Sequence, residues 1–237
     1  MDVRVRFSKH GALRYIGHLD VMRYFQKVIR RADIDIAYSA GFSPHQIMTF
    51  ASPLGVGLES DGEYMDLRLN SMNTTKELMD RLNAHSVPEI QILGVKILPE
   101  NAGNAMASVA AAEYEVSFKN HRCPKVFENF DQWEGIVDQF MAQEEIIFVK
   151  ETKKGTREIN LKEVVYDFSV DKDKQCMHML LDASSGNNIK PGQVLNVLLA
   201  AYNEELPDNC LKIYRLDLYT RDNANQLISM GDLGVES

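Results

Sequence analysis

Three histidines, His10, His18 and His45, fall within the first fifty residues, and Asp20 stands two positions from His18. An imidazole beside a carboxylate can move a proton or ligate a metal, which makes His18, Asp20 and His45 the candidate catalytic groups. Neither an H-x-x-x-H nor an H-E-x-x-H spacing joins them, and the expectation is a chain with no metal and no cofactor. The same residues also suit structural work: His18 at a helix start, Asp20 at its positive end, His45 against the backbone of a turn.

A second constellation is cationic. Arg23, Lys27, Arg30 and Arg31 recur at helical spacing and share about one quadrant of a helical wheel. Side chains so placed match successive phosphates, while Phe42, Tyr38 and Tyr15 offer faces on which unpaired bases stack. Lys9, Arg14 and the 41–45 turn are read as flanking loops, where positioned binding groups concentrate. The expected RNA-binding set is Lys9, Arg14, Arg23, Lys27, Arg30, Arg31, Phe42 and His45; a solvated helix face would have the same composition. A further basic run, Lys153, Lys154, Gly155, Thr156 and Arg157, reads as a charged hairpin tip.

Charge distribution sharpens the point. The 237 residues carry a net charge of −8, which argues against indiscriminate binding of nucleic acid. Residues 1–50 hold eight Lys and Arg against four Asp and Glu, a local +4 that leaves −12 for the remainder. A basic face on an acidic protein is the footprint of a positioned polyanion site. No G-x-x-x-x-G-K-[ST] loop and no G-x-G-x-x-G after a strand is present, which disfavours nucleotide hydrolysis. Cys123, Cys176 and Cys210 lie far apart without a C-x-x-C pair, so neither a disulfide framework, a zinc ribbon nor the thiolate triplet of a radical SAM cluster is suggested. No apolar run approaches the roughly 18 residues of a membrane span, and the chain opens on a charged strand, so the expected location is the cytoplasm.

The elements that must position these groups follow from periodicity. Val3, Val5 and Phe7 alternate with Arg4, Arg6 and Ser8, a half-buried strand; Val21, Met22, Phe25, Val28, Ile29 and Ala32 predict a helix over 18–32. Residues 63–69 alternate again, Thr74 and Glu77 make a capping-box pattern ahead of a helix over 75–84, and 87–98 is a further strand. Downstream, strands are expected at 114–118, 146–150, 158–170, 176–183 and 211–220. Helices are expected at 131–143 and after Pro191. The fold class is α+β: two ferredoxin-like (βαββαβ-type) domains with antiparallel sheets. Their expected spans are 1–98 and 113–221, the second with an additional strand or a long bent hairpin. Residues 99–112 form a connector able to make a short helical turn, and 222–237 a mobile tail.

The order Phe7, Lys9, Gly11, Arg14, His18-Leu19-Asp20, Arg30-Arg31, Tyr38-Ser39, Gly41-Phe42-Ser43-Pro44-His45 and Pro53-Leu54-Gly55 resembles the radical SAM-linked protein family over the first third of the chain. Two departures are visible. Asp33-Ile34-Asp35 stands where relatives tend to have a proline turn, and Gln46 replaces a more usual proline. The resemblance implies a domain of unknown function found beside or fused to B12-type radical SAM proteins, often encoded near ribosomal-protein and ribonuclease genes. With the basic face, it leads to the expectation of an RNA-binding accessory protein for tRNA or rRNA, working with a separate radical SAM enzyme and not itself the catalyst. Two alternatives stand beside it. The element order resembles the metal-independent repeat-RNA endonucleases of CRISPR systems, although their glycine-rich loop near the C-terminus is not found. The 41–54 loop could instead serve a protein-only scaffold that docks the radical SAM partner.

Overall fold

The computed structural model describes residues 1–100, 102–119, 122–152 and 155–237. Two compact units divide the chain: the first takes residues 1–110 and 215–237, the second residues 111–214. The expected connector therefore goes mostly with the first unit, held there by the buried Ala105 and Val109.

In the first unit β1 (Asp2–Lys9) leads through a 3-10 turn over Gly11–Tyr15 into α1 (His18–Arg31). There follow β2 (Met48–Phe50), β3 (Glu59–Arg68), α2 (Thr75–Ala84), β4 (Ile92–Ile97) and the short α3 (Ala105–Ser108). β1 lies between β3 and β4, antiparallel to both, and β2 pairs antiparallel with the Met65 to Leu67 part of β3. Val3, Val5 and Phe7 point to one side, where they pack with Phe25, Ile29 and Leu82 from the two longer helices. The other side of β1 is not the solvated face that simple alternation implies: Arg4 and Ser8 are also buried.

Local signals explain the two helices. Asp20 lies in the first turn of α1 and Arg30 and Arg31 in its last, all favourable to the helix dipole. The helix ends with a pair of reversed bonds, Asp33 N–H to the Arg30 carbonyl (3.3 Å) and Ile34 N–H to the Ile29 carbonyl (3.1 Å). This motif needs a left-handed residue, and Asp33 supplies it at φ 51°; the Asp-Ile-Asp run thus turns the chain without proline. The Arg81 guanidinium from α2 donates to the carbonyls of Ala32 and Asp33, satisfying the last groups of α1. α2 starts on the Thr74 side chain, which accepts from the Glu77 N–H at 3.1 Å.

The second unit comprises β5 (Ala111–Phe118), α4 (Trp133–Met141), β6 (Ile147–Thr152), β7 (Gly155–Asn160), α5 (Leu161–Val164), β8 (Val165–Asp171), β9 (Cys176–Asp182) and α6 (Pro191–Ala200). β10 (Leu211–Arg221) begins in this unit and continues into the first. β9 is antiparallel to both β5 and β8, and its Met177, Met179 and Leu181 are buried, as are Val194, Leu195 and Leu198 of α6. β6 and β7 form a separate antiparallel pair. The single strand expected over 158–170 is interrupted because the Asn160 side chain caps α5, accepting from the Lys162 N–H. Of the expected basic hairpin tip, Lys153 and Lys154 lie outside the described residues.

Back in the first unit, β10 pairs with β3 on the edge it shares with β2, and β11 (Leu227–Ser229) pairs with β10. The β3–β10 approach requires Gly62, since a Cβ there would lie 2.3 Å from the Asp217 Cα. The residues expected as a mobile tail carry β11 and a segment held by backbone bonds. Val235 exchanges two with Ile97 (2.8 and 3.0 Å), reached through a left-handed Gly234 at φ 105°. The protein is α+β with mostly antiparallel pairing. Among the described residues, no helix is long and apolar enough to cross a membrane.

Candidate nucleic-acid interface

α1 buries Val21, Phe25, Val28 and Ile29 and leaves Arg23, Lys27, Arg30 and Arg31 exposed, the division that the wheel predicts. Arg23 reaches Asp20 at 3.5 Å, with both side chains more than half exposed, a pair of little energetic weight. Lys27, Arg30 and Arg31 make no ion pair among the described residues.

Beside this helix a short loop is closed by one residue pair. Ser39 N–H donates to the His45 carbonyl (2.9 Å), His45 N–H donates to Ser39 Oγ (3.1 Å), and the same oxygen meets His45 Nδ1 at 2.8 Å. Outside that clamp Tyr38 and Gln46 pair as an isolated bridge. Gln46 Nε2 then donates to the Gln26 carbonyl of α1 at 3.4 Å, tying the loop base to the helix. Gln26 precedes Arg30 by one turn, so the loop stands along the flank that leads to the cationic face. Phe42 at its tip is wholly exposed, and Tyr38 is more than half exposed.

Other expected members go elsewhere. Lys9 closes β1 on the same side as Val3, Val5 and Phe7 and is only 2% exposed. Its Nζ donates to the Ile16 carbonyl at 3.0 Å; burial pushes the ammonium pKa down, against the opposing pull of Glu63. Lys9 is therefore an interior cation and not a loop cation. Arg14 is turned to its neighbours, with Nη2 on the Tyr15 hydroxyl (3.0 Å), Nη1 near Glu59 (3.4 Å) and its guanidinium 4.9 Å over the Tyr15 ring.

The catalytic candidates do not converge on one another. His18 makes no capping bond, the cap position being Gly17, and its ring packs edge-on against Phe50 with centroids 5.1 Å apart. Among the described residues, no hydrogen bond links His18, Asp20 and His45, and no His, Cys, Asp and Glu group has the arrangement of a metal site. The cavity that His18 lines with Lys9, Ser52 and Glu63 measures about 10 Å³, room for one water at most.

Several polar contacts join residues too remote in sequence for any local pattern to show them. Arg215 Nε donates to Glu63 Oε1 at 2.9 Å in a buried pair, and Arg215 Nη2 donates to the Ser52 carbonyl at 2.6 Å. The Tyr64 hydroxyl donates to Asp217, which also accepts from Ser229 Oγ at 2.7 Å; burial first, then Asp217, pushes the phenol pKa up. In the second unit His178 bridges Glu113 (2.7 Å) and Asp167 (2.8 Å). Its pKa is pushed up to about 9, chiefly by the Glu113 hydrogen bond, against burial and with the help of Asp167.

Residues 3–191 match the family model described as "Uncharacterized protein conserved in bacteria (DUF2344)". No curated protein matches the chain.

Proposed function

Since this chain belongs to the conserved bacterial family DUF2344, whose description carries no reaction, we propose its function from the interface itself: an RNA-binding accessory protein. The observation that carries this is the juxtaposition on α1 of three exposed cations without ion pairs, Lys27, Arg30 and Arg31, with a tethered loop presenting Phe42. Cations supply the sequence-independent attraction to phosphates, and an exposed aromatic face supplies stacking to an unpaired base. The target class is a structured RNA with single-stranded segments, tRNA or rRNA. Its enzymatic partner is a separate radical SAM protein in the cytoplasm, a part of the proposal supported by the family resemblance alone. For the architecture we keep two ferredoxin-like domains. What supports this in the first unit is the order strand, helix, strand, strand, helix, strand with neighbours β4-β1-β3 and β2 on β3. No observation favours the ribonuclease reading over this one.

Binding of a single-stranded oligoribonucleotide at several salt concentrations tests the proposal. Lys27→Gln with Arg30→Gln should weaken binding and make the salt slope shallower by about 1.4, at roughly 0.7 for each lost phosphate contact. Phe42→Ala should cost about 1–3 kcal/mol of affinity and leave the slope unchanged. If all three proteins share one affinity and one slope, the helix face is solvated and the proposal fails. A radical SAM partner retained on affinity resin after nuclease treatment would separate direct docking from RNA bridging.

A further inference from the structure

The face of β1 turned away from the helices carries a second arrangement of cations. Arg4 lies opposite Asp66 of β3 and Lys96 of β4, and Arg6 lies opposite Tyr64 and Gly94. Gly94 has no side chain, and a Cβ built on it would meet nothing within 4 Å, so the row has a gap. Over the gap runs the segment after β11, and between sheet and segment is a cavity of about 150 Å³. The sheet lines it with Arg4, Arg6 and Lys96, the segment with Gly231, Asp232 and Glu236.

The cations are not equally spent. Arg4 is 1% exposed and uses Nε and Nη2 on the Asp66 carboxylate (2.8 and 2.9 Å), while its buried Nη1 has no partner. Arg6 uses Nε and Nη2 on the carbonyls of Asp61 and Leu216, which solvate its charge without neutralising it. Lys96 pairs with Glu236 at 2.8 Å, the glutamate side chain being 70% exposed. Arg4 thus stays with Asp66, its Nη1 closed off from the cavity, and Arg6 and Lys96 contribute the positive charge. Both acids that line the cavity come from the covering segment. A space of 150 Å³ corresponds to about five waters and lies below the roughly 300 Å³ at which pockets for larger ligands begin, so it suits one small anion.

We infer that this cavity is a binding site for a tetrahedral oxyanion of the phosphate type, with the Glu236 carboxylate as its internal competitor. Guanidinium and ammonium groups converging on one small space are the chemistry that recognises such an anion, and an exposed ion pair such as Lys96–Glu236 yields readily to a better acceptor. The inference does not depend on RNA binding by α1. Free phosphate and a backbone phosphate of a nucleic-acid strand are both sources of this chemistry.

The whole chain is titrated at constant ionic strength with inorganic phosphate, following the backbone amide signals of Gly94 and Gly231. Wild type should give saturable shifts at both. Glu236→Gln should bind about fivefold more tightly, a direction that damage to the fold would not produce, and Lys96→Gln about tenfold more weakly. A parallel titration with a short single-stranded oligoribonucleotide separates the sources. Shifts at Gly94 with phosphate alone assign a free anion, and shifts with the oligonucleotide assign a strand phosphate. No saturable shift at Gly94 and Gly231 with either probe, in wild type and in Glu236→Gln, overturns the inference, as does a dissociation constant indifferent to both substitutions.

Discussion

Strand β1 and helix α1 are consecutive in the chain, both rich in cations, and they treat those cations in opposite ways. On β1, Arg4 is buried in a fork with Asp66 and Lys9 is buried beneath the turn it holds at Ile16. On α1, Lys27, Arg30 and Arg31 face water with no ion pair. The +4 counted over residues 1–50 is therefore not the charge presented to a ligand. A central strand has neighbours on both edges and a cover on both faces, so its long polar side chains must find internal partners. A surface helix keeps one stripe in water, where a lysine or arginine can wait for an external partner at little cost.

Breaking an interior pair should have the largest effect. Glu63→Gln removes the carboxylate that faces Arg215 and Lys9 and leaves buried positive charge uncompensated, so stability should fall by about 3–5 kcal/mol in denaturant melts. If the loss were under about 1 kcal/mol, water would be screening the interior cations and the contrast with α1 would collapse.

His178 offers a conditional cation between the two extremes. Its folded pKa of about 9 is raised above the ordinary 6.5, so its contribution is fully present below about pH 6.5 and is lost as pH rises through 9. After allowance for partial solvent exposure, that contribution is about 1–2 kcal/mol. Melting temperature should decline between pH 6.5 and 9.5 in wild type, and His178→Gln should flatten this part of the profile. Parallel declines in both proteins would show that Glu113 and Asp167 do not hold the imidazolium.

The smallest effect belongs to the exposed face. Lys27→Gln should change stability by less than about 0.5 kcal/mol, whatever it does to RNA. A larger loss would mean that the α1 cations also serve the fold, and would narrow the distinction from β1.

What could be read from the sequence depended on how far away the deciding partner stood. The exposed face of α1 and the start of α2 were legible because helical period and the Thr74 cap are local. The inward turn of Lys9 was also available, since it shares parity with Val3, Val5 and Phe7, but assigning it to a loop hid that signal. The burial of Arg4 depends on strands and a segment that close over it from elsewhere in the chain, and no local pattern announces them. Residues 222–237 looked featureless because β11 and Val235 are held through backbone groups, which leave little trace in side-chain periodicity. The clamp between Ser39 and His45 was likewise invisible at the residue level, although the turn-forming composition of 41–45 was clear.

The edge of β3 shared by β2 and β10 has a consequence for how the protein is made. Glu63 and Arg215 are 152 positions apart, and everything in the second unit is synthesised between them. At about 5–20 residues per second, the β3 edge and the Glu63 carboxylate wait roughly 8–30 s after their own synthesis for the strand that completes them. During that interval the first unit has an open strand edge and an acid without its arginine, while α1 and α2 can already pack on β1. A nascent chain stopped before residue 211 should thus be a partly formed unit with an adhesive edge, and the ribosome, not the finished fold, sets how long that edge is offered to other chains.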